Sequence, residues 1–453
     1  MAAGAESWIG RTIGWSLLAA VGLSLVLPSV PSYDPFAWII WGREITEGAL
    51  TTTYGPSWKP FPVFFTTAFS LFGAAAPWLW LVVAIAGCLA ALVACWMLII
   101  RLDGGRVGAA AGVGALALTP WWVTHATRAN SEGLTVFFVL ATLERMLAGR
   151  HRAAFVMGCC AALLRPECWP FLGLYGLWLL WRGPLPRPLI VGAGIAVLAC
   201  WLLPEWWGSG DPFRAGNRAR TGIGPQAPTN ADSPVLAIFR DAADMLVIPV
   251  AVGLLAAAWD AVRSRDALLP SLVGLAAAWF GVVALMTSGG FSGNQRYLVV
   301  PVVLLIVVSG AGLGRVVTTL GHGAEHRWLA AAAAAVLFAL PSLGHLRRTW
   351  DAAAYQEAMT KALPDLISGL GGADDVRRCG LVSTGRFLVP QVAWYMHLHQ
   401  KDVSSHTLQP GTVFLVRTTR HAGGEPADGA IAPAPVVSGG AWRVYQRCRP
   451  SAT

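Results

Sequence analysis

Charge is scarce in this chain: Asp, Glu, Lys and Arg make up 13% of its 453 residues, and lysine is nearly absent, standing only at Lys59, Lys361 and Lys401. Set beside 55% hydrophobic residues and a mean hydropathy of +0.56, that scarcity excludes a single water-soluble globule, whose surface needs far more polar cover. A bilayer has to be the solvent. A Gly-rich nucleotide loop ahead of a helix is also missing, as is any nucleophile and base pair at a meaningful spacing, so nucleotide-dependent and triad chemistry have no support. No small-residue cleavage site follows the first apolar stretch, and Pro28 to Asp34 lead directly into aromatic, helix-like sequence. That stretch therefore reads as a retained first span rather than a signal peptide.

Apolar runs of helical length recur from Thr12 to His345, closed by Arg or by Pro/Gly breaks, without the short alternating segments of a membrane barrel. The pattern predicts an all-α polytopic membrane bundle of about eleven spans, near 12–28, 78–100, 107–124, 131–148, 153–165, 168–181, 188–204, 242–262, 267–287, 297–314 and 328–345. The pairs Arg101/Arg106, Arg150/Arg152, Arg182/Arg187, Arg263/Arg265 and Arg315/Arg327 fall on alternate connections. By the positive-inside rule they face the cytoplasm, which accounts for a net charge of +9 without nucleic acid. The N-terminus is then cytoplasmic, and the segments 29–77, 125–130, 166–167, 205–241, 288–296 and 346–453 lie outside.

Residues 1–345 thus read as a transmembrane domain and 346–453 as a small extracytoplasmic α/β domain, with a helical pattern at Arg347 to Leu370 and strand-like runs after it. The Gly/Pro-rich stretch 422–440 reads as a loop. Six cysteines lie in or beside apolar runs, where a thiol is a small hydrophobe. Cys379 and Cys448, each at a strand-like run of the exported tail, are expected to form a disulfide. His397 and His399 share a strand-like run but read as solvated surface rather than a zinc pair.

The first outer segment carries more chemistry than a connection needs. Pro35 to Gly48 and Pro60 to Phe72 are amphipathic and predict two interfacial helices beside the membrane. Asp34, in Ser32-Tyr33-Asp34-Pro35, stands where the first of these begins. It suits an N-cap. A carboxylate between apolar walls also holds a proton more tightly and suits a general base. Trp38, Trp41 and Trp58 read as an interfacial belt ahead of a sugar-stacking platform.

Asp34, the helix ending Arg43-Glu44-Ile45-Thr46-Glu47-Gly48, then Trp58-Lys59-Pro60-Phe61-Pro62 and Leu71-Phe72-Gly73, resemble in their order the first outer loop of the GT-C glycosyltransferases, namely the aminoarabinose transferases and protein O-mannosyltransferases. The resemblance covers roughly residues 30 to 75. It implies an outward-facing site, an acidic catalytic residue at Asp34 and a role for Lys59 at the start of the second juxtamembrane helix. Only one carboxylate of the pair carried by many members is present, and Lys59-Pro60-Phe61-Pro62 departs from their Lys-Pro-Pro core.

The later outer turns add candidates. Arg128 and Glu132 stand where related enzymes often carry an Arg and an acid, although Ser131 and Glu132 also suit the first turn of a helix. Arg165 and Glu167 are ionisable groups in apolar surroundings that need partners, and two positions apart they do not face each other on a helix. Arg214 and Arg218 belong to an outer loop whose arginine excess calls for an anion, a lipid headgroup or a donor phosphate. Arg296 and Tyr297 resemble a late-loop Arg-Tyr pair, and a planar guanidinium matches phosphate oxygens.

The reading that follows is an inverting glycosyltransferase of the inner membrane. It moves a sugar from a polyprenyl-phosphate donor to a lipid or glycan acceptor of the cell envelope on the outer face, with Asp34 as base. Mannose and arabinose are the donors the resemblance suggests. No cofactor is required, and Glu132 near Asp34 would leave room for a divalent metal. A flippase, which would place its polar groups at the bilayer midplane, and a non-catalytic scaffold are the competing readings.

Overall fold

The computed structural model describes residues 8–221, 223–320, 324–406, 410–416 and 435–448. The chain opens with helix α1 (Trp8–Val26), followed by α2 (Tyr33–Thr46) and α3 (Pro60–Phe69). Helices α4 (Ala76–Arg101), α5 (Gly105–Ala117), α6 (Pro120–Thr127), α7 (Glu132–Leu147) and α8 (His151–Leu164) come next. Then follow α9 (Trp169–Arg182), α10 (Arg187–Ser209), α11 (Arg214–Ala219), α12 (Pro234–Met245), α13 (Ile248–Ser264), α14 (Leu268–Ser288) and α15 (Val299–Leu320). Proline at the first or second position opens α3, α4, α6, α9, α10, α12 and α13, where its missing N–H costs nothing and its fixed φ suits the helix.

Every expected span meets a helix, but not every helix can cross a membrane by itself. Among the described residues five helices are long and apolar enough, or seven if two bent pairs each count as one span. The expected span 107–124 is one of these pairs: α5 and α6 meet at 63°, broken by Thr119-Pro120. The expected eleventh span and the tail helix are one continuous helix, α16 (Ala324–Gly369), which runs on through Pro341, Gly344 and His345 where a break was expected.

The bundle is built round α4, which packs on α1, α5 and α7. Glycine sets the closest approach, between α5 and α15: a Cβ on Gly108 would lie 2.2 Å from the carbonyl oxygen of Gly310, and one on Gly314 would lie 1.7 Å from that of Gly104. One end of the bundle collects an ion network. Arg101 Nη2 lies 2.9 Å from Glu144, and Arg315 lies 3.0 Å from Asp260 and 2.7 Å from Asp266 while donating to the Leu102 carbonyl. Asp34, Lys59, Glu132 and Arg296 gather at the opposite ends of the helices, twelve residues along α7 from Glu144.

After α16 come α17 (Ala373–Cys379) and α18 (Val389–Tyr395) with strands β1 (Leu381–Thr384), β2 (Val403–Ser404), β3 (Gly411–Val416), β4 (Val437–Gly439) and β5 (Trp442–Arg447). They form one mixed sheet in the order β2-β1-β3-β5-β4, parallel on the β1 side of β3 and antiparallel to β5. Of the stretch read as a loop, 422–434 lies outside the described residues, and Val437–Gly439 pairs as an edge strand. The tail is α/β as expected, although Cys379 ends a short helix rather than lying in a strand.

A disulfide joins Cys379 to Cys448 across 69 positions. Closing a loop of that length restricts the unfolded chain, with about 2–4 kcal/mol as the usual gain. The variant Cys379→Ser with Cys448→Ser should therefore melt this sheet several degrees earlier in a thermal scan followed by tryptophan fluorescence, and reductant should do the same to the native protein only.

Candidate active site

Helix α2 carries Asp34 in its first turn, behind an N-cap at Ser32 that makes no side-chain cap bond. Asp34 is therefore not the cap. Its carboxylate sits at the positive end of the helix, where negative charge is favoured. Two further contacts hold α2 in place. Gly42 lies so close to α3 that a Cβ there would be 2.4 Å from the Thr66 carbonyl carbon, and Thr66 Oγ1 donates to the Trp38 carbonyl at 2.7 Å. The segment before α2 pairs with the turn before α7: Val30 N donates to Thr127 O at 2.8 Å, Ser32 N to Arg128 O at 3.0 Å, and Ser32 Oγ to Asn130 Oδ1 at 3.0 Å. Ala129 takes a positive φ of 55° in that turn, and Trp80 Nε1 donates to its carbonyl at 3.0 Å. These bonds bring Asp34 beside Glu132.

The carboxylate does not stand between apolar walls. Arg296, from the turn between α14 and α15, binds Asp34 Oδ2 directly and places Nε 3.4 Å from Glu132 Oε1. Arg165 binds the same Glu132 oxygen and keeps Nη1 3.6 Å from Glu167. Glu132 is thus Arg165's nearer partner, but the expectation of separate partners fails for Glu167, whose ion pair among the described residues is with Arg165 itself, because the chain turns through a 3-10 segment there rather than a regular helix. His125 Nδ1 lies 3.5 Å from Glu132 Oε2. Lys59, at the N-cap of α3, donates from Nζ to Ser131 Oγ at 3.1 Å and lies over the Trp38 ring at 5.1 Å. Burial, reinforced by Arg165 and Arg296, pushes the Lys59 ammonium down to about 7 against the opposing pull of Glu132 and Asp34. Tyr297 takes the Arg165 guanidinium over its ring at 5.4 Å.

Seven of the ten residues singled out in the sequence meet here: Asp34, Lys59, Glu132, Arg165, Glu167, Arg296 and Tyr297. Arg128 contributes its backbone carbonyl and forms no ion pair among the described residues. Arg214 donates to the carbonyls of Pro56 (2.9 Å) and Gly55 (3.3 Å) and lies 3.5 Å from Glu205, while Arg218 donates to Gly55 at 2.8 Å. Both brace the segment between α2 and α3, and both interact with Tyr33, the neighbour of Asp34, at the edge of the site.

Trp38, Trp41 and Trp58 are at most 1% exposed, so they form neither a belt nor an open stacking platform. Trp41 donates to the Thr51 carbonyl, Trp58 to Cys200, and Trp38 underlies Lys59. Helix α2 is likewise enclosed, between α3 and α18, rather than resting on a surface. His399 is not free surface either: its Nδ1 meets the buried Glu44 at 2.7 Å and ties α2 to the C-terminal sheet region. Sequence reasoning passed over His125, Thr135 and Trp279. Of these, His125 is an ionisable side chain seven residues before Glu132, shortly after the apolar Trp121-Trp122-Val123, which was a signal; Trp279 lies in apolar α14, which gave none. Among the described residues no three of His, Cys, Asp and Glu gather as a metal site.

No protein-family model matches the chain. No curated protein matches it either. Among solved structures it is similar to ArnT from Cupriavidus metallidurans in the apo state, at 17% identity over 98% of each chain with a TM-score of 0.56. It is also similar to ArnT from the same organism bound to undecaprenyl phosphate, at 16% identity over 97% of this chain and 98% of that one, TM-score 0.57. At such identities the likeness is one of fold, end to end, and the fold is the one implied by the resemblance to the GT-C glycosyltransferases.

Proposed function

From this fold we propose that the chain is an integral glycosyltransferase of the bacterial inner membrane, moving a sugar from a polyprenyl-phosphate donor to a cell-envelope acceptor on the outer face. The observation that supports it most is the meeting of Asp34 with Lys59, Arg165 and Arg296, brought from four separate connections into one buried cluster. A structural neighbour's capture of undecaprenyl phosphate agrees with a lipid phosphate at such a cluster.

The cluster balances three cationic side chains, Lys59, Arg165 and Arg296, against three carboxylates, Asp34, Glu132 and Glu167. A phosphodiester adds one negative charge. Arginine forks suit its oxygens, and Arg296 shared with the phosphate loosens its hold on Asp34. Asp34 then takes the proton of an acceptor hydroxyl while that oxygen bonds to the anomeric carbon. The bond from that carbon to the phosphate oxygen breaks on the opposite face, so configuration inverts and polyprenyl phosphate leaves with the electron pair. Glu132 takes no part in proton transfer in this scheme; it orients Arg165 and Arg296.

The test is transfer of radiolabelled sugar from a polyprenyl-phosphate donor to an envelope-lipid acceptor by the purified protein in proteoliposomes, beside a flipping assay on the same vesicles. Labelled acceptor that depends on the protein is the expected result. Donor crossing the bilayer without transfer would establish the flippase reading instead.

A further inference from the structure

Side chains of the ion cluster line a cavity of about 10 Å³, whose wall includes Glu132, Arg165, Glu167, Trp279 and Arg296. That is room for one oxygen-sized group. Among the described residues two side chains on its wall, Glu167 and Trp279, have no hydrogen-bond partner, and Glu132, also on the wall, is satisfied at Oε1 but leaves Oε2 with only the His125 ring at 3.5 Å. Glu167 is 2% exposed, yet neither carboxylate oxygen accepts a hydrogen bond, and Trp279, 4% exposed, leaves its indole N–H undonated. Leaving such groups bare inside a protein is costly, a carboxylate most of all. They are also held in place. Phe171, one turn after Glu167, stacks on the Trp279 ring at 4.9 Å with 6° between planes, so the turn that sets the carboxylate also fixes the indole.

The two orphans have opposite polarity, which narrows what satisfies both. A phosphate oxygen, although drawn by Arg165 and Arg296 on the same wall, accepts only and leaves the Glu167 carboxylate without a donor. An ammonium donates only and leaves the indole bare. A hydroxyl donates to the carboxylate and accepts from the indole N–H with one oxygen, and one oxygen is what the space admits. We propose that Glu167 and Trp279 together read one hydroxyl of the donor sugar, making them specificity-determining residues beside the phosphate-binding arginines. This rests on the function proposed above and adds a sugar subsite to it.

The experiment measures dissociation constants of bare undecaprenyl phosphate and of its mannosyl, arabinosyl and glucosyl derivatives for the purified full chain, for Glu167→Gln and for Trp279→Phe. In the native protein at least one sugar should tighten binding about tenfold or more over the bare lipid, the range expected for a hydrogen bond to a charged group. Each variant should lose about five- to tenfold of that gain, read as the ratio of bare-lipid to glycosyl-lipid dissociation constants; Trp279→Phe should also bind the bare lipid within twofold of native, whereas Glu167→Gln, which removes a charge beside Arg165, should bind the bare lipid as well as native or better. The inference is overturned if no sugar tightens native binding, if the gain survives in both variants, or if a variant weakens bare and glycosylated lipid alike, which would mark Glu167 as a prop for Arg165 and the cavity as a site for water only. Native protein that fails to bind the bare lipid defeats the underlying function, a result separate from the other three.

Discussion

Replacing Asp34 by Asn should lower the turnover number for sugar transfer by about 10²- to 10⁴-fold, the range carried by a positioned general base, which is roughly 3–5 kcal/mol on the barrier. The amide keeps the shape of the side chain, so the first turn of α2 and its packing against α3 survive. It cannot take the acceptor's proton. The same substitution has a second effect with the opposite sign. In the native protein Asp34 holds Arg296, the guanidinium assigned to the donor phosphate in the proposed reaction, so on that scheme the carboxylate competes with substrate for it. Without that charge the cluster is more cationic, and donor affinity should stay level or rise a few-fold. A merely structural residue would weaken binding and turnover together. Single-turnover transfer and donor dissociation constants separate the two outcomes, and Asp34→Glu, which restores a carboxylate one methylene longer, should recover part of the rate. Turnover within fivefold of native in Asp34→Asn would remove this residue from the chemistry.

The candidates that met in the cluster were legible because each stands where an apolar pattern breaks. Asp34 and Glu132 lie in the first turns of α2 and α7, and Lys59, Arg165 and Arg296 lie between helices, all positions where an ionisable group in a membrane protein needs a partner. What such breaks do not encode is which turns converge. The contact between Asp34 and Arg296 spans 262 residues, and nothing local to either end names the other. Helix type was readable from period and proline punctuation, whereas length was not: α16 runs on through His345 because composition alone does not distinguish a span from its continuation. The tryptophans misled for a physical reason. Abundant Trp beside a membrane suggests a belt, but Trp41 and Trp58 spend their N–H groups on the carbonyls of Thr51, between α2 and α3, and of Cys200 in α10, and so are core residues with a polar handle. Trp279 was invisible for the same reason in reverse, since an apolar helix hides one indole among many apolar neighbours.

Affinity for the donor should fall steeply with alkalinity, because Lys59 enters the binding event only partly charged. Burial holds its ammonium down to about 7, so at neutral pH roughly half of the unbound protein carries a neutral amine there. A phosphodiester keeps one negative charge throughout this range and stabilises the charged form of the lysine once bound. Binding above pH 7 therefore takes up a proton, and the sign follows: affinity is full below the unbound value and drops as pH climbs toward the higher value in the complex. For a complex in which Lys59 stays charged, the dissociation constant should rise about fivefold from pH 7 to 8 and about fiftyfold from pH 7 to 9. A guanidinium keeps its charge at these pH values by its own chemistry, so Lys59 is the cation of the cluster with a proton to lose there. Lys59→Arg should bind with little pH dependence, since a guanidinium keeps its charge. Lys59→Met should also be flat, at the weak affinity that the native protein reaches in alkali. The measurement is donor binding to detergent-solubilised protein at pH 7, 8 and 9 with a glycosylated polyprenyl phosphate. A native profile without slope, or an equal slope in Lys59→Arg, would place the proton elsewhere and leave Lys59 as a packing residue over Trp38.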